Sequence, residues 1–221
     1  MICPIRSHFS RRKQARPEEI LDAAACCFIR RGFAATKMED IAREAGVTKG
    51  TLYLYYTNKE ELLKAVVRTV LVSKVVELEA IATDDQLSAR VLLLRLLDRW
   101  QEAAENPQFS GLPKLMICEV SNFPDLAQFY FEEVILRARR LLSSVIQRGI
   151  ARGEFRPVPV DDTVEVLVAP IIMQMIWQHS FANFESAKND SRQYFAHMID
   201  LLLNGLLVEP HLESDAPRSP A

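Results

Sequence analysis

The side chains equipped for chemistry gather at one short segment: Thr48, Lys49, Gly50, Thr51, Tyr53, Leu54 and Tyr55. This is not an acid–base or metal-ligating set. An ammonium group, hydroxyls and a glycine that bares the backbone are the inventory for meeting an anionic groove. Catalytic inventories are missing elsewhere. Three residues before His179, His197 and His211 stand Ile176, Tyr194 and Val208, so no ExxH pair exists for a helical di-iron site, and there is no HExxH, GxSxG, GxGxxG or P-loop. Cys3, Cys26, Cys27 and Cys118 form no CxxC, which argues against a zinc site or a disulfide framework and fits a reducing cytoplasm. The chain reads as a non-enzyme with no catalytic residue, no metal and no cofactor.

The elements that must position this segment follow from punctuation and period. Pro17 suits the first position of a helix whose apolar face is Ile20, Ala24, Cys27 and Phe28, and Gly32 supplies its left-handed stop. Thr36-Lys37-Met38-Glu39 has the form of a capping box opening a short second helix with Ile41, Ala42 and Ala45 on its apolar face. Gly46 ends that helix, and Thr48 can cap a third running to Tyr56. Met38 to Tyr56 therefore has the pattern of a helix-turn-helix. Ile41, Val47 and Leu52 point into the shared core, while Thr48 to Thr51 and Tyr53 to Tyr55 are left outward; Tyr56 is expected to be core.

Apolar residues recur at three and four throughout the rest, predicting an all-α protein of about nine helices. It comprises a three-helix N-terminal helix-turn-helix domain and a C-terminal helical bundle. A long connecting helix should run from about 59 to 80, with overlapping boxes Thr57/Glu60 and Asn58/Glu61 at its start. Further helices are expected at about 86–105, 112–121, 124–152, 160–182 and 190–207. The organisation expected is a flexible basic arm (1–16), a DNA-binding domain (17–62), a bundle (63–208) and a disordered tail (209–221). A composition of 49% hydrophobic and 25% charged residues with only 7 Gly in 221 excludes disordered and collagen-like chains. The most apolar run, Val164 to Trp177, is broken by Glu165, Pro170 and Gln174, so no membrane span is expected, and the Arg-rich start lacks the apolar region of a secretory signal. The net charge of −2 conceals a division: residues 1–57 carry 10 Lys/Arg against 6 Asp/Glu, and the remainder 17 against 23.

The segment resembles the TetR-like (tetracycline-repressor-like) family of bacterial transcriptional regulators. The resemblance covers about residues 17–64 and rests on Ala23-Ala24, Phe28, Arg31-Gly32-Phe33, Thr36, Ile41-Ala42, Ala45-Gly46-Val47, Lys49-Gly50-Thr51-Leu52-Tyr53, Tyr55-Tyr56 and Lys59-Glu60-Glu61-Leu62. It implies a DNA-binding regulator, more often a repressor, which binds a palindromic operator in double-stranded DNA as a homodimer and is released by a small effector. It further implies base or groove contacts from Lys49, Gly50, Tyr53 and Leu54, and phosphate contacts from Thr36, Lys37, Thr51, Tyr55 and Lys59. Lys49 is the natural donor to guanine O6 and N7. Leu54 departs from the frequent polar or His occupant, which limits it to apolar contact such as with a thymine methyl.

Two readings stand for the arm carrying Arg11, Arg12, Lys13 and Arg16: it follows the DNA backbone or an adjacent minor groove, or it is a solvated tail. Trp100, Met116, Phe123, Met173 and Trp177, with Glu119 and Gln174 as polar groups, suit a pocket for a mostly apolar effector; the bland alternative is ordinary core. The helices at 160–182 and 190–207 are apolar over wide arcs, with Leu167, Ile171, Met175 and His179 on one line and Phe195, Ile199, Leu202, Leu203 and Leu206 on another. These lines form a four-helix dimer interface or cover their own bundle.

Overall fold

The structure, a computed structural model, describes residues 17–184 and 190–207. The expected basic arm and C-terminal tail lie outside the described residues. Among those residues the chain forms nine helices joined by short turns. Helix α1 is Pro17–Arg31, and its charges complement its dipole, with Glu18 and Glu19 in the first turn and Arg30 and Arg31 in the last. Gly32 follows at φ +82°, a conformation that favours glycine.

Helices α2 (Met38–Glu44) and α3 (Lys49–Tyr55) are joined by a Schellman turn. The Val47 amide donates to the Ala42 carbonyl at 2.9 Å and the Gly46 amide to Arg43 at 3.2 Å, with Gly46 at φ +69°. The capping box of α2 is displaced by one residue from the expected register. Lys37 is the cap, and its amide donates to Asp40 at 3.4 Å. Thr36 is taken elsewhere, as described below.

Helix α4 runs Lys59–Val67, passes through a π-helical turn at Arg68–Val72 and continues as Ser73–Ala82; Asn58 caps it by accepting the Glu61 amide at 2.8 Å. Helix α5 is Ala89–Ala104 and α6 is Pro107–Glu119. The expected start of α6 near residue 112 is corrected to Pro107. Proline at the first helical position loses no intrahelical bond, and Asn106 caps the helix by accepting the Gln108 amide at 2.8 Å.

Helix α7 has the same composite form as α4: Pro124–Tyr130, a π-turn at Phe131–Ile135, then Leu136–Ala151. The two π-turns pack against each other, and the Arg137 guanidinium clasps both oxygens of Glu79 at 3.0 and 2.6 Å. Helices α8 (Val160–Gln178) and α9 (Ser191–Leu206) complete the bundle. Phe155 packs onto α7 at Gly149, where a methyl group would stand 2.2 Å from the ring. No described helix is long and apolar enough to cross a membrane.

The core is continuous from Ile20 of α1 to Leu206 of α9. Helix α6 joins its two parts by packing against both α1 and α8. At Gly111 it approaches so closely that a methyl would come within 2.7 Å of Ile29 and 3.2 Å of the His179 ring.

Candidate nucleic-acid interface

Helix α3 is anchored through one side chain. Leu52 is fully buried where α3 packs against α2, whereas Tyr53, Leu54 and Tyr55 are exposed, Leu54 at 84%. Thr48 caps the helix by accepting the Thr51 amide at 3.1 Å, and the two hydroxyls lie 2.8 Å apart. Gly50 is exposed at the second helical position, with only Thr48 near the place a side chain would occupy. The face so formed offers two hydroxyls, a bare backbone turn, two phenols and one isobutyl group. Tyr56, expected in the core, is half-buried and packs against it.

The electrostatics differ from a simple basic surface. Lys49 pairs with Glu39 of α2 and lies 5.7 Å from the centre of the Tyr53 ring. The mutual hydrogen bond raises the lysine pKa and lowers that of the carboxyl. Arg30 pairs with Glu44 at 3.2 Å, Arg31 with Asp40 at 3.2 Å, and Arg43 also with Asp40. Among the described cations of the first three helices and their turns, Lys37 is the one outside these ion pairs, acting on Glu39 only through the charge between them. The charge count agrees: residues 17–57 hold five Lys/Arg against six Asp/Glu, so the basic excess of the front of the chain resides entirely in residues 1–16, with five Lys/Arg and no acid.

Two residues implied as phosphate contacts are used inside the protein instead. The Thr36 hydroxyl is 1% exposed and within hydrogen-bonding distance of the carbonyls of Gly32 (2.7 Å) and Cys27 (3.2 Å), so it closes the end of α1. The Lys59 ammonium donates to the carbonyls of Phe33 (2.6 Å) and Ala34 (3.2 Å) and stands 4.4 Å over the Phe33 ring. Burial lowers its pKa, opposed by the nearby charge of Glu119.

The seven residues expected to line an effector pocket differ in burial and in what they touch. Met116 and Gln174 are buried and Trp100 is half-buried, with its indole N–H enclosed and unpartnered. Glu119 and Phe123 close on the Phe33–Ala34 turn: Glu119 accepts the Phe33 amide at 2.9 Å, and the Phe123 ring meets Phe33 edge-on at 4.7 Å. Met173 is 57% exposed, and Trp177 is also on the surface. Two open grooves beside α7, one bounded by Glu79, Arg137 and Ser144 and the other by Arg139, Gln147 and Glu165, contain none of the seven. His179 is tied to Ser110 at 2.9 Å, and burial, then the charge of Lys114, lowers its pKa.

The apolar lines expected to form a dimer face are corrected as well. Leu167, Ile171 and Met175 of α8 and Phe195, Leu203 and Leu206 of α9 are buried within their own bundle. The exposed apolar residues are the neighbouring stripe of Val166, Met173 and Trp177 on α8, continuing to Phe181, and Tyr194 and Leu201 on α9. The Tyr194 hydroxyl donates to the Pro170 carbonyl at 3.3 Å, so the two stripes adjoin. Val166 and Leu201 do not stand out in the sequence because α8 and α9 are apolar on both sides, and periodicity does not say which side the bundle takes.

Comparison with known proteins agrees with this architecture. The profile described as "Bacterial regulatory proteins, tetR family" matches residues 20–66, and "Tetracyclin repressor-like, C-terminal domain" matches residues 83–185. The chain is 30% identical over 151 residues to the uncharacterized HTH-type transcriptional regulator YfiR of Bacillus subtilis, covering 66% of this chain and 71% of that one. It is 32% identical over 144 residues to the HTH-type transcriptional repressor KstR2 of Mycolicibacterium smegmatis, covering 65% and 69%. Among solved structures, FadR of Bacillus subtilis in complex with stearoyl-CoA aligns with a TM-score of 0.72 at 21% identity, over 86% of this chain and 99% of that one. With both profiles matched in order on an all-helical chain whose Met38–Tyr56 segment is a helix-turn-helix, the protein belongs to the TetR family of DNA-binding transcriptional regulators.

Proposed function

We propose that this chain is a ligand-responsive repressor that binds a palindromic operator as a homodimer. The observation that carries the reading is the exposed stripe of Val166, Met173, Trp177, Tyr194 and Leu201. A contiguous apolar face on the last two helices needs a partner, and a second copy across a twofold axis supplies one with the same surface. That symmetry presents two copies of α3 to successive major grooves, which a helix-turn-helix reads as half-sites about one helical turn apart, roughly 34–36 Å.

In this reading Lys49, Gly50, Tyr53 and Leu54 face base edges, and Lys37, Thr48, Thr51 and Tyr55 take phosphates. Lys49 exchanges Glu39 for a guanine edge, and Leu54 contributes apolar contact to a thymine methyl. The paired charges of the folded helices leave the arm as the source of net attraction to phosphate. The KstR2 relative is named a repressor, which favours repression over activation. For a mostly apolar effector, the enclosed and unpartnered Trp100 N–H is the group that would await an acceptor on it.

Selection of bound sequences from random DNA tests the core of this reading. Inverted repeats with centres about 10 base pairs or a multiple apart are expected. Unrepeated motifs would contradict the symmetric dimer. For the effector, thermal-shift screening of apolar metabolites should yield compounds whose binding weakens in Trp100→Phe and which release DNA.

A further inference from the structure

After α1 the chain turns through Gly32, leaving the amides and carbonyls of Phe33 and Ala34 outside any helical ladder. They are satisfied from two directions. Oε1 of Glu119, the last residue of α6, accepts the Phe33 amide at 2.9 Å and lies 3.4 Å from the Ala34 amide. The ammonium of Lys59, the first residue of α4, donates to the two carbonyls. Opposite charges thus hold opposite polar sides of one two-residue turn, an arrangement stronger than neutral hydrogen bonds would give. The Phe33 side chain is fixed as well, with Phe28 at 5.6 Å, Phe123 edge-on at 4.7 Å and Lys59 over its face.

The grip joins two parts of the chain that are distant in sequence. Phe33 and Ala34 lead directly into the helix-turn-helix, whereas Glu119 and Phe123 belong to the segment matched by the C-terminal profile. Helix α6 is already flush with α1 at Gly111, two turns before Glu119. A helix fixed along one edge still pivots unless its end is fixed too, and Glu119 is that end. Helix α1 packs against α2 and α2 against α3, so a shift of this turn relative to the end of α6 carries the recognition helix with it.

We propose that Glu119 is a positioning residue for operator recognition. By holding the Phe33–Ala34 turn it sets the direction in which the helix-turn-helix leaves the bundle, and so the separation of the two recognition helices in a dimer. The proposal rests on the homodimeric reading given above. Binding at the second half-site is an intramolecular event, and its strength depends on how often the second α3 is already at the right distance. Loosening the turn lowers that effective concentration and leaves each α3 surface intact.

The test uses full-length protein with two duplexes, one carrying the two half-sites recovered by selection and one carrying a single half-site. Glu119→Ala should weaken the two-site duplex about tenfold, within the range of measured site couplings, and leave the single-site duplex within about twofold. Glu119→Gln keeps an acceptor oxygen and should restore most of the two-site affinity. Amide exchange at Phe33 and Ala34 should accelerate in Glu119→Ala and return in Glu119→Gln. Equal losses on both duplexes would show a general destabilisation, and no loss on either would show an idle contact; each overturns the proposal. A wild-type protein with no preference for the two-site duplex overturns the dimeric reading and this inference with it, whereas a wild-type preference that Glu119→Ala preserves overturns this inference alone.

Discussion

Two regions of this molecule expose large apolar side chains, and they do so in opposite company. On α3, Tyr53, Leu54 and Tyr55 stand among Thr48, Lys49, Gly50 and Thr51, so each apolar group is flanked by a donor or by bare backbone. On α8 and α9, Val166, Met173, Trp177 and Leu201 form a stripe that continues along the helices, with polar groups at its margins. Exposure alone does not separate these surfaces; composition around the exposed group does. A seven-residue helix with interleaved donors suits a charged groove with a few methyl groups in it, whereas a long unbroken stripe suits a like surface.

The longer stripe is the surface that two substitutions should disable most completely. Met173→Glu combined with Leu201→Glu places acids at the centre of the proposed twofold face without touching the buried line of Leu167, Ile171 and Met175. The mass by light scattering should fall from that of a dimer to one 25.1 kDa chain, and operator affinity should drop by about 100-fold or more with the loss of linked half-sites. A variant that stays dimeric would move the interface elsewhere and leave the stripe unexplained.

The α3 surface should respond differently, because its electrostatic support is remote from it. Deleting residues 2–16 removes five cations and should lower affinity for any duplex at least tenfold, flattening the dependence of log affinity on log salt by up to about 4 units. An unchanged slope would leave the arm as a solvated tail. Lys49→Ala is expected to cost about fivefold at the cognate operator and to relax the preference at one base pair. Lys59→Ala provides the contrast. Its ammonium is committed to Phe33 and Ala34, so it should lower unfolding stability by about 1–2 kcal/mol in denaturant titrations and leave the salt slope as it is.

Local rules made the first three helices legible. Gly32 and Gly46 carry the positive φ their positions demand, Thr48 and Asn58 cap as their types suggest, and Leu52 is the buried residue of α3. What escaped the sequence was decided across space. Thr36 has the right chemistry for a cap or a phosphate, but the open carbonyls at the end of α1 reach it first. In the sequence Glu119 reads as a ligand group because nothing in the chain order places it beside Phe33. The π-turns of α4 and α7 carry no residue that announces them, since Arg68–Val72 and Phe131–Ile135 are ordinary helical sequences fitted to each other. The wide apolar arcs of α8 and α9 fixed their helicity but not their orientation.

The smallest effect probes the polar company of α3 itself. In the free protein Lys49 is held by Glu39, an exposed pair of the kind that contributes little to stability but occupies the one cation on the recognition helix. Glu39→Gln keeps the length of the side chain and removes its charge, so Lys49 is free to meet any phosphate. Affinity for non-operator duplex should rise about threefold, and the salt slope should steepen by about one unit for the added phosphate contact. Operator affinity should change less, because there Lys49 has already exchanged its partner for a base edge, and the ratio of operator to non-operator binding should fall. The mass of the dimer should not change, since α8 and α9 are untouched. An unaltered slope would mean that the pair opens at no cost on any DNA, and that the selectivity of α3 lies in Tyr53 and Leu54 rather than in a lysine held back until its base is present.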